Sequence, residues 1–281
     1  MMKLLKYTLL IAITLFVSCS KDDDDQQTII DETEGLTLIK SLSNDSHTIN
    51  LYTKTSSLTD GYNLIYLQIK DGNGNYISNA SVSWTPVMHM EMMNHSCPYS
   101  SVNRVAGTET LYSGYIVFQM PGNSMEYWEI TVNYSINGTE YSASDTINVS
   151  PSAHKRVVSF VGNDENRYVL ALIEPISPEV AINDMVAGIF VSESMMHFPI
   201  VNNYKLKIDP RMPGMGNHGS PNNQDLTQST QDYLYHGKLS LTMTGYWKIN
   251  LILENENQEV IGGEEVTDTI ESSSIFFEID F

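Results

Sequence analysis

Residues 128–134, with the sequence WEITVNY, alternate apolar and polar side chains and are followed closely by the pair Asn137-Gly138. Every second side chain from Ile130 to Tyr134 would face the same side, which is the pattern of a half-buried β-strand. Asn-Gly is the dipeptide most typical of a tight turn. The sequence therefore predicts a strand and a turn in this region.

Short runs of the same kind recur in both directions from this stretch, separated by turn residues, and almost none has a helical period. The strand candidates in the first part of the chain are residues 36–42, 48–52, 64–69, 81–84, 115–119 and 128–134. The sequence predicts an all-β fold.

The second part of the chain repeats the first at an offset near 120 residues, which indicates an internal duplication. Residues 127–130 (YWEI) correspond to residues 246–249 (YWKI), and residues 112–114 (YSG) correspond to residues 235–237 (YHG). The repeat predicts two copies of one β-module.

Each copy has the length of an immunoglobulin-like β-sandwich of about seven strands. We expect tandem sandwich domains at residues 36–150 and 154–281, joined at residues 150–154. A tryptophan in each copy should anchor a core between the sheets.

The N-terminus has the features of a lipoprotein signal. Residues 1–18 combine a positive start with an apolar run too short to span a bilayer. Residues 15–19 (LFVSC) resemble a bacterial lipobox, so we expect Cys19 to be lipidated; an ordinary secretory signal is the alternative. Residues 19–35 then form an acidic linker, whose acidic run resembles an export signal for surface lipoproteins. The predicted location is the outer membrane, lipid-anchored and exposed on the cell surface, with the periplasmic face as the alternative.

Charge limits the partners that the chain can bind. It has 15 Lys and Arg against 34 Asp and Glu, a formal net charge of −19. A chain with this much negative charge repels phosphate backbones. We therefore expect no nucleic-acid partner. Apolar residues make up 41% of the chain, enough for folded cores. The lipid anchor makes the membrane one expected partner.

Cysteine usage singles out one residue. The chain has two cysteines, so a lipidated Cys19 leaves Cys97 without a disulfide partner. A lone thiol in an oxidising compartment needs either burial or a bound ligand.

Methionine and histidine recur at equivalent positions of the two copies. Residues 86–98 carry Met88, Met92 and His95 between two prolines, and residues 210–221 carry a similar set at nearly the same spacing. The second set consists of Met212, Met215 and His218.

Thioether and imidazole are donors suited to Cu(I). Each loop could therefore close around one copper ion, and His89 and Cys97 could add donors to the first site. Zinc is less favoured, because the chain lacks the paired Cys or His spacing of structural zinc sites. We also consider His197 as an outer ligand of the second site and His236 as a weaker candidate.

Methionine is also a flexible packing residue and a common component of adaptable contact surfaces. Met120, Met185 and Met243 lie in strand-like sequence and are expected in the cores. The Met-rich loops could instead contact a protein partner.

Residues 212–218 (MPGMGNH), followed by the strand sequence at residues 245–249 (GYWKI), carry a family resemblance. They resemble the YtkA-like and FixH-like group of extracytoplasmic β-sandwich domains, and more distantly the CopC-like copper carriers. The resemblance covers residues 184–278 and implies a copper-related role for Met212, Met215 and His218. The first copy departs from this pattern, with His-Met-Glu in place of Pro-Gly.

Motifs of common enzyme classes are missing from the sequence, including the Gly-x-Ser-x-Gly elbow, His-Glu-x-x-His, phosphate loops and dinucleotide fingerprints. We therefore expect a non-catalytic lipoprotein that binds copper for delivery or sequestration and hands it to a copper-accepting protein. The alternative is a surface interaction or adhesion module.

Overall fold

The structure, a computed structural model, describes residues 31–281. The predicted signal peptide, the predicted lipidation site Cys19 and most of the acidic linker lie outside the described residues. Within residues 31–281, no helix has the length and apolarity needed to cross a bilayer.

The described chain is almost entirely β-structure, which confirms the predicted all-β fold. Up to Ser150, here called the N-terminal half, the strands are β1 (Thr37–Ser43), β2 (His47–Thr53), β3 (Leu58–Thr59), β4 (Gly61–Asp71), β5 (Ala80–His89), β6 (Asn94–His95), β7 (Asn103–Arg104), β8 (Tyr112–Phe118), β9 (Tyr127–Ile136), β10 (Thr139–Ile147) and β11 (Val149–Ser150). From Lys155 onward, here called the C-terminal half, they are β12 (Val157–Val161), β13 (Arg167–Glu174), β14 (Ile182–Val191), β15 (Lys205–Met212), β16 (His218–Gly219), β17 (Gln224–Gln228), β18 (Tyr235–Ser240), β19 (Trp247–Glu254), β20 (Val260–Gly262) and β21 (Phe276–Ile279), with a 3₁₀ turn at Pro213–Met215.

The N-terminal half is built from two facing sheets. One has the order β1-β2-β4-β8-β7 and the other the order β10-β9-β5-β6, while β3 and β11 form a short parallel pair. A buried apolar cluster that includes Trp84, Phe118 and Trp128 lies between them. This arrangement is the β-sandwich that the sequence predicts.

The C-terminal half repeats this strand order. Its β12-β13-β14-β18-β17 series follows β1-β2-β4-β8-β7, and its β15-β19 pair follows β5-β9. Because β17 also pairs with β15, the strands form one continuous sheet around a second core that contains Trp247 and Tyr235. All of Glu32–Phe281 forms one compact unit, so the division into tandem domains stays a prediction.

Local sequence explains the best-defined strands. Each of the six strand candidates overlaps an observed strand, and Asn137-Gly138 forms a two-residue turn between Ile136 and Thr139, which pair across the hairpin. Both turn residues have positive φ, 51° and 83°, as a type I′ turn requires. The expectation that tryptophans anchor the cores is also confirmed, since Trp128 and Trp247 are fully buried.

A smaller apolar cluster lies between the two halves. Val117 of β8 packs with Val157, Val169 and Phe190 of the C-terminal half, and the partly buried Tyr115 covers one side. Burial of these side chains ties the two halves together.

Candidate metal centre

The predicted Met and His donors lie in two equivalent hairpins. In the β5-β6 hairpin, Met88 is directly opposite His95, and in the β15-β16 hairpin Met212 is directly opposite His218. Directly opposed residues of an antiparallel pair share one face, with Cβ atoms typically about 4.5–5.5 Å apart. Each hairpin therefore places a methionine and a histidine at directly opposed positions; in the second hairpin Met212 is buried and His218 is exposed.

The ring of His95 is oriented by the backbone. Its Nδ1 lies 2.7 Å from the carbonyl oxygen of Ser96, and its ring meets Trp128 edge-on at 5.8 Å between centroids. A carbonyl oxygen can only accept a hydrogen bond, so Nδ1 carries the proton and donates it. The lone pair of a neutral His95 is then on Nε2, the arrangement usual for a metal-binding histidine.

The methionines of each predicted set differ in environment. Met88 is 0% exposed and Met212 is 5% exposed, and each belongs to the apolar core of its half. Met92 and Met215, at the hairpin tips, are 89% and 58% exposed. The structure thus buries one methionine of each set, opposite a histidine in the strand register, and exposes the other.

His89 is separated from the other donors of the first hairpin. It is adjacent to Met88 on β5, so its side chain points to the opposite face of the sheet. There it stacks on Tyr127 at 4.9 Å, with Nε2 3.7 Å from Oε1 of Glu129. This Nε2 is buried and has no hydrogen-bond partner.

The tip of the second hairpin follows from its residue types. Pro213 begins the 3₁₀ turn, and Gly216 and Asn217 adopt the left-handed conformation that these two residue types tolerate best. On the outer face, the Arg211 guanidinium forms two hydrogen bonds to the Asp209 carboxylate, at 2.8 and 2.9 Å. This pair braces the strand from the side opposite Met212.

Cys97 occupies neither hairpin pair. It is a free cysteine, fully buried in the N-terminal core, and burial raises the pKa of its thiol well above the usual value. Burial therefore explains how a lone thiol is protected from oxidation. Cys97 also lines a cavity of about 310 Å³ together with Met196 and His197.

Three further expectations concern His197, the packing methionines and His236. His197 lies at this cavity beside Cys97, not at the second hairpin. Met185 is fully buried, and Met120 and Met243 pack against the cores, which confirms the expected packing role of all three. His236 lies 3.0 Å from the carboxylate of Asp232.

Sequence reasoning missed the role of the loop that follows β14. The carbonyl oxygen of Met195 accepts a hydrogen bond of 2.8 Å from the backbone N–H of Ser96, so this loop contacts the first hairpin. The Met195-Met196-His197 sequence could have drawn attention to the loop, but its contact with the other half depends on tertiary packing.

Fold and sites together define an all-β protein of immunoglobulin-like sandwich character with a Met/His hairpin in each half. Comparison with known protein families finds no family model that matches the chain, and comparison with curated proteins finds no match either. The chemistry of the hairpins is therefore the basis for inferring a function.

Proposed function

We propose that this chain is a non-catalytic extracytoplasmic lipoprotein that binds copper as Cu(I), for delivery to a copper-accepting protein or for sequestration. In this proposal Cys19 carries the lipid, and the protein is anchored in the outer membrane facing the cell surface. We also propose that residues 184–278 are related to the YtkA-like and FixH-like domains.

One observation carries the proposal: both hairpins oppose a methionine to a histidine in the same register, Met88 to His95 and Met212 to His218. Thioether sulfur is a soft donor that stays unprotonated, and imidazole suits copper in either oxidation state. The hydrogen bond from Nδ1 of His95 to the Ser96 carbonyl oxygen adds support, because it leaves Nε2 of the neutral ring as the possible donor to a metal.

Each site would combine an inner pair with an outer donor. The inner pair is the buried thioether and the imidazole opposite it. Met92 and Met215 lie at the hairpin tips, where they are free to fold over an ion held by the inner pair. His89 faces the other side of the sheet and is not assigned to the inner pair.

The test is an anaerobic titration of the full chain in detergent with Cu(I) and a competing chromophoric chelator. All proteins carry Cys19→Ala, so that Cys97 is their only thiol. We expect Met88→Leu and Met212→Leu each to remove one equivalent of bound copper. Leucine has nearly the volume of methionine, so a buried replacement should cost less than about 1.5 kcal/mol and preserve the fold.

The chain offers a matched control within one hairpin. His95→Ala should remove the same equivalent as Met88→Leu, whereas His89→Ala, on the opposite face, should leave uptake unchanged. Full uptake by both methionine variants would refute the proposal.

A surface interaction module is the second candidate, and exposed methionines favour it. A large part of the side chain is exposed in each of Met92, Met93, Met195 and Met196. Apolar side chains that remain exposed in this way are typical of contact surfaces. Failure of copper uptake, combined with loss of cell adhesion in a Met92→Ser and Met196→Ser variant, would support this candidate.

A further inference from the structure

The loop at residues 192–200 brings soft donors of the C-terminal half onto the N-terminal half. It is fastened to its own half by the hydrogen bond from the Val191 N–H to the Pro199 carbonyl oxygen, at 3.0 Å. It is fastened to the first hairpin by the hydrogen bond between Ser96 and Met195 described above. The neighbouring residues Met196 and His197 are thereby held at the junction.

A cavity of about 310 Å³ opens at this junction, with walls that include Tyr115 and Phe190. Cys97 is fully buried, Met196 and His197 are exposed, and all three residues line this cavity. Three residues that carry soft or borderline donors, a thiol, a thioether and an imidazole, thus line one cavity.

Two details of these donors point to a ligand. The Cys97 thiol is completely buried, yet within residues 31–281 it makes no hydrogen bond. Nε2 of His197 lies 3.4 Å from Oε2 of Glu193, so a carboxylate is within ion-pairing distance of the ring. A carboxylate behind a histidine is the usual outer support of a metal ligand.

We propose that Cys97, Met196 and His197 form a further Cu(I) site, to which both halves contribute. Cu(I) displaces the thiol proton, which passes to solvent, and the sulfur–copper bond forms without any change in oxidation state. The site uses none of the hairpin pairs, so it stands or falls independently of the proposed function.

The test uses the full Cys19→Ala chain in detergent, titrated anaerobically with Cu(I) alone while thiolate-to-copper absorption in the ultraviolet is followed. Cys97 is then the only thiol that can produce this band. We expect the band to rise to saturation and to vanish in Cys97→Ala. The exposed variants Met196→Leu and His197→Ala should each weaken binding at this site at least tenfold in chelator competition.

Matched controls lie close by. Met195→Leu changes an exposed methionine outside the cavity, and His236→Ala changes a histidine that also has a carboxylate four residues before it. Both should leave the band intact, and Met88→Leu with Met212→Leu should lower total copper without affecting the band. A parent protein without the band, or a band of unchanged affinity in both Met196→Leu and His197→Ala, would overturn the site. Because these two side chains are exposed, their variants should fold even if Cys97→Ala does not.

Discussion

Gly245 shows how one residue shapes the second hairpin site. Its φ of +118° is a conformation that residues with a side chain rarely adopt. A Cβ built on it would lie 3.2 Å from the terminal methyl carbon of Met212. The missing side chain therefore leaves the space in which the buried thioether packs.

Replacement of this glycine should consequently destabilise the protein. We expect Gly245→Ala to lower the free energy of unfolding by roughly 1 to 3 kcal/mol, the usual cost of a residue held in a sparsely populated backbone region. Urea denaturation followed by tryptophan fluorescence measures the change. Gly214→Ala is the control, because a Cβ at Gly214 meets no atom within 4 Å. Equal stability of the two variants would contradict this account.

The sequence predicts the equivalence of the two hairpins well, but it does not predict the positions of all their methionines. Spacing alone matched Met88 with Met212 and His95 with His218, since the duplication preserves the order of donors. Alternation along a strand also gives the face of each residue, but only as far as the strand extends. β5 ends at His89, so the position of Met92 could not be obtained from its periodicity.

Contacts between segments that are far apart in the chain could not be predicted from local sequence patterns. The sequence gives no indication that the loop at residues 192–200 would meet Cys97, because they are separated by about a hundred positions. The alternating strands and the Asn137-Gly138 turn were predictable, because their conformations follow from neighbouring residues.

A hydrogen bond closes the first hairpin and provides a test at this scale. Oγ of the buried Ser96 donates to the carbonyl oxygen of Pro86, at 2.7 Å. We expect Ser96→Ala to lower the free energy of unfolding by about 1 to 3 kcal/mol, because a buried acceptor loses its donor. Chemical denaturation measures this, and Ser46→Ala, at an exposed position, should change the stability little. A Ser96→Ala protein as stable as the parent would show that the bond contributes nothing.

For the whole molecule, the free energy of unfolding should depend on pH, because hydrogen bonds lower the pKa of carboxylates such as Glu278 in the folded state. Burial alone would raise the pKa of Glu278, but hydrogen bonds from the Lys155 N–H and the Tyr246 hydroxyl outweigh it, so its pKa is lowered in the folded state. A lowered pKa stabilises the fold above the ordinary value of 4.5. That contribution is lost as the pH falls through the folded-state pKa.

Glu278→Gln should remove this contribution. We expect the variant to be less stable than the parent at neutral pH, with the difference shrinking as the pH falls below 4.5. Urea midpoints at a series of pH values measure the difference, and Glu256→Gln, at an exposed position, is the control. A difference that stays constant down to acidic pH would contradict the assignment to Glu278.

The apolar cluster between the halves has a consequence for proteolysis. Residues 151–156 connect the two halves covalently. Val117, Val157 and Phe190 also hold the halves together, because they are buried against one another. A protease that nicked this link would produce two fragments that stay associated, migrating together under native conditions and separating only in denaturant. Either fragment produced alone would expose its side of this apolar cluster and would aggregate.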